Sequence, residues 1–108
     1  MDKKLNLIRK KIEKVKKELM QIGEMRPGSL TKQYQNSAKK QGGYYQISYT
    51  YKMKSRTEYV RPEFVEDLKS QVKTFKRFKA LTQKWIDLAI EFSRLKIEIT
   101  KQTKNKLS

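Results

Sequence analysis

The residues best suited to binding chemistry lie in one stretch, residues 42–62, where tyrosines alternate with hydrogen-bonding and cationic side chains. Over residues 45–54 the odd positions are aromatic or aliphatic and the even positions are polar or basic. This period of two is typical of a half-buried β-strand. A turn near residues 52–55 would return the chain as a second strand over residues 56–61. Pro62 would close this hairpin because it has no N–H for a strand ladder.

The polar face of this hairpin predicts contacts with a nucleic acid. A two- or three-stranded sheet fits the major groove of B-DNA, where its polar side chains would reach base edges and its basic side chains would hold phosphates. The predicted base-reading residues are Gln46, Ser48, Thr50, Lys52 and Arg56. The predicted phosphate contacts are Lys32, Lys54 and Arg61, together with Lys39 and Lys40 in a polar loop over residues 36–43.

The tyrosines of the first hairpin strand leave a second interpretation open. If they were exposed, their rings would stack on the bases of a single strand. Tyr45, Tyr49 and Tyr51 share the odd, apolar phase and are predicted to be core residues, so Tyr44 is the predicted stacking residue. A third interpretation has no ligand at all, because a basic hairpin would also shield a helical dimer.

A row of basic residues follows the hairpin on a long predicted helix. Its members are Lys69, Lys73, Lys76, Arg77 and Lys84. No acid interrupts the row between Asp67 and Asp87, whereas a solvated helix face normally mixes both signs. We expect the first four to contact a nucleic-acid backbone. Contact with a membrane surface is the competing use, but the apolar side of this helix is needed for a core.

The composition favours a polyanionic partner and argues against catalysis. The 108 residues include 27 Lys and Arg against 11 acidic residues, a net charge of +16. Such an excess points to DNA, RNA, an anionic membrane or an acidic protein. Because the chain has no cysteine and no histidine, it lacks thiolate and imidazole ligands, a cysteine nucleophile and the usual general base. We therefore expect no enzyme activity, no metal and no cofactor.

The N-terminal sequence predicts a helix and a location. Apolar residues step by three and four from Leu5 to Ile22, a heptad seam that predicts a helix over residues 1–23 with Gly23 as its left-handed cap. Charges recur every few residues there, so no apolar run has the length of a signal peptide or membrane span. We expect a cytoplasmic protein, associated with the nucleoid if it binds DNA, and no membrane contact.

The remaining elements predict an α+β fold in a single domain. A short strand could precede the hairpin over residues 29–35, which predicts a small antiparallel sheet of two or three strands. Pro62 is well placed to open a second helix over residues 62–104, with acidic residues in its first turn. We expect the first half of this helix to pack on the hairpin and the second half to pair with the N-terminal helix as an antiparallel coiled coil.

The second half of the long helix has more apolar surface than one helix would cover. A helix of about 40 residues reaches about 60 Å, whereas a globule of this chain length has a radius of gyration of roughly 13 Å. A second copy would complete the core, so we predict a homodimer. The predicted interface residues are Trp85, Leu88, Phe92, Leu95 and Ile99, with additional apolar surface from Ile86, Ala89, Ile90 and Ile97.

Short motifs between residues 25 and 95 resemble a known family. They are Arg26-Pro27-Gly28-Ser29-Leu30, Tyr34, Gly43-Tyr44-Tyr45, Ser48-Tyr49 and Arg56-Thr57-Glu58-Tyr59-Val60 with Pro62. On these residues the chain resembles an uncharacterised family of short basic bacterial and archaeal proteins, a domain of unknown function associated with transposons and other mobile elements. That family often has cysteines between the first strand and the hairpin. Residues 36–43 have none, so no metal or redox role is carried over.

A second likeness concerns the fold alone. The hairpin followed by a helix also resembles the small arm-binding domains of tyrosine recombinases, which read DNA with a sheet. Together these observations predict a non-catalytic nucleic-acid-binding protein, a dimeric DNA-binding accessory or regulatory factor of a mobile genetic element. The alternatives are a protein-binding regulator, inhibitor or assembly subunit of a nucleoprotein complex, and an RNA-binding accessory protein.

Overall fold

A computed structural model of the chain describes residues 2–36 and 38–107. Along the chain, one helix precedes three strands and a second helix follows them. The elements are α1 (Asp2–Met20), β1 (Ser29–Asn36), β2 (Gln41–Tyr51), β3 (Lys54–Val60) and α2 (Val65–Leu107), with a 3₁₀ turn over Pro62–Phe64 before α2. The strands form one antiparallel sheet in the order β1-β2-β3. The predicted α+β class is therefore confirmed.

These elements form two compact units, and α2 contributes to both. The helical unit contains α1 and the part of α2 from Phe78 onwards, whereas the sheet unit runs from Gly23 to Arg77. Each unit has an apolar core of its own. Neither α1 nor α2, over the residues that the structure describes, has an apolar stretch that would span a bilayer.

In the helical unit, the apolar seam of α1 packs on the second half of α2. The buried residues are Ile8, Val15, Leu81 and Leu88. The guanidinium of Arg9 lies 5.3 Å from the ring centre of Phe92, and the Lys16 ammonium lies 5.4 Å from that of Trp85. Residue numbers thus rise along α1 as they fall along α2, so the two helices run antiparallel. Their predicted contact is confirmed, while coiled-coil geometry stays a prediction.

The end of α1 differs from the prediction. The helix ends at Met20, and the N–H groups of Gln21 and Ile22 each donate to a carbonyl three residues earlier, at 3.1 Å. These short-range bonds tighten the last turn and occupy carbonyls that would otherwise lack a partner. Gly23 is not in the left-handed region. The prediction of a left-handed cap at Gly23 is therefore wrong, because the tightened turn ends the helix without one.

In the sheet unit, the first part of α2 covers one face of the sheet. The buried residues are Ile47, Val60, Val65 and Val72, with Leu30, Tyr45 and Leu68 packed against them. Ile47, on the central strand, has only 1% of its surface exposed. Burying a side chain of this size contributes roughly 1.5–3 kcal/mol. The predicted packing of the first half of the helix on the hairpin is confirmed.

Gly28 sets the entry of β1 into the sheet. Its φ of 134° is outside the range that residues with a side chain prefer. A Cβ at this position would lie 2.8 Å from the carbonyl oxygen of Ser48 and 3.1 Å from Cγ1 of Ile47. Only glycine therefore lets the chain pass this close to β2 and place Ser29 opposite Ser48 and Leu30 opposite Ile47.

The two turns of the sheet differ in how well they match the prediction. Lys52 and Met53 form the β2–β3 turn with φ values of 51° and 66°, the left-handed pair of a two-residue type I′ turn. This turn lies within the predicted residues 52–55. The polar loop predicted over residues 36–43 is shorter, because β2 already begins at Gln41, opposite Asn36.

Candidate nucleic-acid interface

The sheet has one face turned away from α2, which we call the open face. Directly paired residues of neighbouring strands point to the same side of a sheet, and Ser48 pairs with Ser29 on β1 and Thr57 on β3. The open face consists of Ser29, Thr31, Gln33 and Gln35 of β1, Tyr44, Gln46, Ser48 and Thr50 of β2, and Ser55, Thr57 and Tyr59 of β3. All of these side chains are uncharged and all can form hydrogen bonds.

The side chains of the open face make few contacts with one another. The hydroxyls of Ser48 and Thr57 lie 3.2 Å apart across the strands. The rings of Tyr44 and Tyr59 are 6.3 Å apart and tilted by 44°. Tyr59 is 62% exposed, and it is a residue to which the sequence alone assigned no role. The face therefore offers separate amide and hydroxyl groups and one pair of tyrosine rings to a ligand.

Basic residues lie at both ends of the open face. Lys39 and Lys40 occupy the β1–β2 turn, and Arg61 directly follows β3 at the same end. Lys52 lies in the β2–β3 turn at the other end. Arg61 is 3.8 Å from the carboxylate of Glu63, with both side chains more than half exposed, so this ion pair is weak. Exposed cations thus lie at the end of the face that holds the β1–β2 turn, whereas the ammonium of Lys52 at the other end lies over the ring of Tyr51.

Three predicted contacts lie on the opposite side of the sheet. The two-residue turn pairs Tyr51 with Lys54 and Tyr49 with Arg56. Lys32 is likewise paired with Tyr45. Odd positions of β2 therefore share a side with even positions of β1 and β3. The prediction that Arg56 lies on one face with Gln46, Ser48 and Thr50 is wrong for this reason.

Lys52, Lys54 and Arg56 gather instead around Tyr51 at the end of the hairpin. The Lys52 ammonium lies 5.3 Å and the Arg56 guanidinium 5.9 Å from the ring centre of Tyr51. Tyr51 is 53% exposed, so its prediction as a core residue is wrong. The hairpin extends beyond the start of β1 at Ser29, and this part of the hairpin is not covered by the core.

A second basic surface lies on the side of the sheet that faces α2. We call it the lysine hollow; it consists of Lys32, Tyr45, Lys69, Lys73 and Lys76. The ammonium groups of Lys69 and Lys32 lie 5.3 and 6.0 Å from the ring centre of Tyr45. Lys73 and Lys76 line the same depression. The structure thus brings three residues of the predicted helical stripe to one depression, and one of them, Lys69, shares the ring of Tyr45 with Lys32.

An acidic residue beside the lysine hollow offsets part of its positive charge. The Glu66 carboxylate accepts a hydrogen bond from Lys69 at 3.3 Å, and this bond raises the pKa of Lys69 above its ordinary value. Arg77, the fourth predicted residue of the stripe, is exposed but does not line the hollow. Lys73 and Lys76 are therefore the cations of the hollow that are best placed for a phosphate.

Glu58, the acidic residue within the three strands, is hydrogen-bonded to a tyrosine and an arginine. Its carboxylate accepts hydrogen bonds from the Tyr49 hydroxyl at 2.7 Å and from Arg26 at 2.9 Å. The Arg26 guanidinium also lies 4.7 Å from the ring centre of Tyr49. The bond from Tyr49, followed by that from Arg26, lowers the pKa of Glu58, and the same carboxylate raises the pKa of Tyr49.

This arrangement predicts an acid-sensitive contribution to stability. Because the folded-state pKa of Glu58 is below its ordinary value of 4.5, ionised Glu58 stabilises the fold above that value, and the contribution is lost as the pH falls through the folded-state pKa. We expect the urea midpoint of the wild type to fall more steeply below about pH 4.5 than that of Glu58→Gln. Glu63→Gln is the control and should follow the wild type. Parallel curves for Glu58→Gln and the wild type would contradict the role of this cluster.

The predicted dimer residues lie in the helical unit. Leu88 belongs to its buried core, and Trp85, Phe92 and Leu95 pack against that core; Ile99 is half-buried. These four core residues are thus engaged with α1 of their own chain. The dimer itself stays a prediction. Among the side chains of α2 that the structure describes, the most exposed large apolar ones are Ile86, Ile90 and Ile97.

Comparison with known proteins identifies a family and no characterised relative. The model of a family described as Domain of unknown function (DUF6788) matches residues 5–70. This match begins within α1 and ends early in α2, so it covers more than half of the chain. No curated protein and no solved structure matches the sequence. Among the described residues there is also no group of three or more acidic residues that could hold a metal ion.

Proposed function

We propose that this chain, which belongs to the DUF6788 family, is a non-catalytic nucleic-acid-binding protein that holds duplex DNA against the open face of its sheet. The observation that carries the proposal is the distribution of charge over that face. Its strands present only neutral hydrogen-bonding groups, while basic residues lie at both ends. Base edges are read by such neutral groups, and phosphates are held by cations.

The dimensions of the sheet support this mode of binding. Neighbouring strands lie about 4.8 Å apart, so the three strands are roughly 10 Å wide between their outer axes. The major groove of B-DNA is about 12 Å wide and admits a two-stranded ribbon, so two of the three strands would enter it. The strand β2 has 11 residues, which corresponds to about 36 Å at the usual rise per residue. Lys39 and Lys40 would therefore meet a phosphate at one end, and Lys52 would reach another about one helical turn away once its ammonium leaves the ring of Tyr51.

The lysine hollow would act on the other side of the sheet. It cannot touch the stretch of duplex that lies on the open face, so it would contribute long-range attraction or hold a neighbouring phosphate backbone. We assign the protein an accessory or regulatory role in a mobile genetic element. That assignment rests on the resemblance of the motifs between Arg26 and Pro62 to a family of such proteins.

Single-stranded nucleic acid is a second candidate ligand because of one observation. Tyr44 and Tyr59 stand side by side on the open face, 6.3 Å apart, near the end that carries Lys39, Lys40 and Arg61. Exposed aromatic rings on a sheet stack on unpaired bases, and each stacked base is worth about 1–3 kcal/mol. Under this alternative the tyrosine pair, rather than the polar centre of the face, would provide most of the affinity.

The two ligands are distinguished by binding titrations with duplex DNA, single-stranded DNA and structured RNA at about 50 and 200 mM salt. We expect a preference for the duplex that survives the higher salt, since attachment by cations alone weakens steeply for all three and most steeply for the duplex. Tyr44→Ala and Tyr59→Ala should weaken binding of the single strand by about tenfold each if stacking dominates, and should leave duplex binding nearly unchanged otherwise. Equal binding of all three that vanishes at the higher salt would refute the proposal.

A further inference from the structure

The second half of α2 has an exposed apolar stripe, and its member Ile90 also borders the groove between α1 and α2. Ile86, Ile90 and Ile97 are 51%, 47% and 54% exposed. With Ser93 between the last two, they are spaced by four, three and four residues, so they lie along one side of the helix. The residues that pack on α1, such as Leu88 and its neighbours, project from the opposite side. A continuous exposed stripe of this kind marks an interaction surface more often than bare solvent contact.

We propose that this isoleucine stripe, which consists of Ile86, Ile90, Ser93 and Ile97, binds the same stripe of a second copy in antiparallel orientation. The order of its side chains is self-complementary. When the twofold axis passes between Ile90 and Ser93, Ile86 faces Ile97 of the second copy and Ile90 faces Ser93 of the second copy. Twofold symmetry repeats each contact, so the interface has two contacts between isoleucines at its ends and two contacts between isoleucine and serine at its centre.

The charges beside the stripe fit the same register. Asp87 and Arg94 are exposed, lie on the same flank of the stripe and are two helical turns apart. Antiparallel pairing brings Asp87 of each copy beside Arg94 of the other, which gives two symmetric ion pairs of the kind that fix partner and orientation in paired helices. On the other flank, Lys96 comes beside Ala89 of the second copy. Between residues 86 and 97 the register therefore places opposite charges together, whereas beyond the stripe Lys79 of each copy comes opposite Lys104 of the other.

This interface differs from the one that the sequence predicted. Both use the C-terminal helix, but the residues predicted from the sequence pack on α1 of the same chain. The isoleucine stripe is available without any rearrangement of that packing. The inference is independent of the proposed function, because a dimer through α2 is compatible with any ligand on the sheet unit.

Sedimentation equilibrium of the full chain and of charge-exchange variants tests the pairing. We expect the wild type to dimerise, and Asp87→Arg or Arg94→Asp to raise the dimer dissociation constant about tenfold, because two ion pairs become like-charge contacts. The double variant with both changes should recover to within about threefold of the wild type. Glu24→Arg changes an exposed acid outside both helices and serves as the control. A monomeric wild type, or a double variant no better than the singles, would overturn the proposal.

Cross-linking tests the register directly, since the natural chain has no cysteine. A mixture of Ile86→Cys and Ile97→Cys chains should form an intermolecular disulfide under mild oxidation, because these positions face each other in the proposed dimer. A mixture of Ile86→Cys and Ile90→Cys chains should not form this disulfide. Position 86 of one copy and position 90 of the other lie on opposite sides of the twofold axis and do not face each other. Equal cross-linking in the two mixtures would exclude this register, and a dimer without either cross-link would indicate another interface.

Discussion

Replacing Gln46 by Glu is expected to lower the affinity for duplex DNA about 100-fold. Gln46 occupies the central strand of the open face, between Thr31 and Tyr59 on the neighbouring strands. The change is nearly isosteric, but it places a carboxylate where the proposal puts base edges and their flanking phosphates. An unpaired negative charge enclosed by such a contact costs several times the value of the lost hydrogen bond.

The control for this experiment is the same glutamine-to-glutamate substitution at a position outside the sheet. Gln21→Glu changes the net charge by the same amount at an exposed position directly after α1. We expect it to change the affinity by less than about threefold, because a single distant charge acts only through the screened field of the protein. Far-ultraviolet circular dichroism verifies that both variants fold. Similar losses for the two variants would show that only the net charge matters and would exclude the open face as the contact surface.

Replacing Ile47 by Ala is expected to lower the free energy of unfolding of the sheet unit by about 3 kcal/mol. Ile47 is almost completely buried and joins the central strand to Val65 and Val72 of α2. The substitution removes apolar contacts and leaves a cavity that the surrounding strands can fill only in part. The effect is therefore large compared with the total stability of a small domain.

The aromatic residues allow each unit to be followed separately. The single tryptophan, Trp85, belongs to the helical unit, whereas every tyrosine lies between residues 34 and 59 in the sheet unit. The tyrosine near-ultraviolet circular dichroism should therefore lose its signal at lower urea in Ile47→Ala. Met20→Ala, at a site that is 86% exposed, should change the free energy of unfolding by less than about 0.5 kcal/mol. A tyrosine transition that does not move in Ile47→Ala would contradict the packing of the core.

The sequence predicted the elements well because their periods are distinct. The heptad steps of the N-terminal helix and the strict alternation after Tyr45 each match only one kind of secondary structure. Pro62 and the acids that follow it mark the start of α2. The helix end at Gly23 was mispredicted, because a glycine near a helix end allows a left-handed cap without requiring one.

The faces of the sheet were harder to predict than its strands. The side to which β3 residues point depends on the number of residues in the β2–β3 turn, since a shift of one position reverses every side chain. The turn over residues 52–55 was predicted, but its two-residue form was not. Arg56 was therefore assigned to the wrong face and Tyr59 was given no role. If the pairing of Tyr51 with Lys54 were known in advance, the register would assign Thr57 and Tyr59 to the open face.

Burial at the ends of the hairpin also needed information that the sequence lacks. Tyr45, Tyr49 and Tyr51 have the same phase, yet only the first two are half-buried. The difference arises because β1 begins opposite Ser48 and the apolar part of α2 covers only the region around Ile47. The lysine hollow could not be foreseen for a similar reason, since Lys32 and the lysines of α2 meet only through the tertiary structure.

The open face has little part in holding the sheet unit together, and this has an evolutionary consequence. Its side chains point away from Ile47 and the rest of the core, and their cross-strand contacts contribute only about 0.2–1 kcal/mol per pair. Substitutions there are nearly neutral for folding, so selection can alter them without compensating changes elsewhere. The same scaffold could thus acquire new ligand preferences in different members of the family by exchanging a few serines, threonines and glutamines.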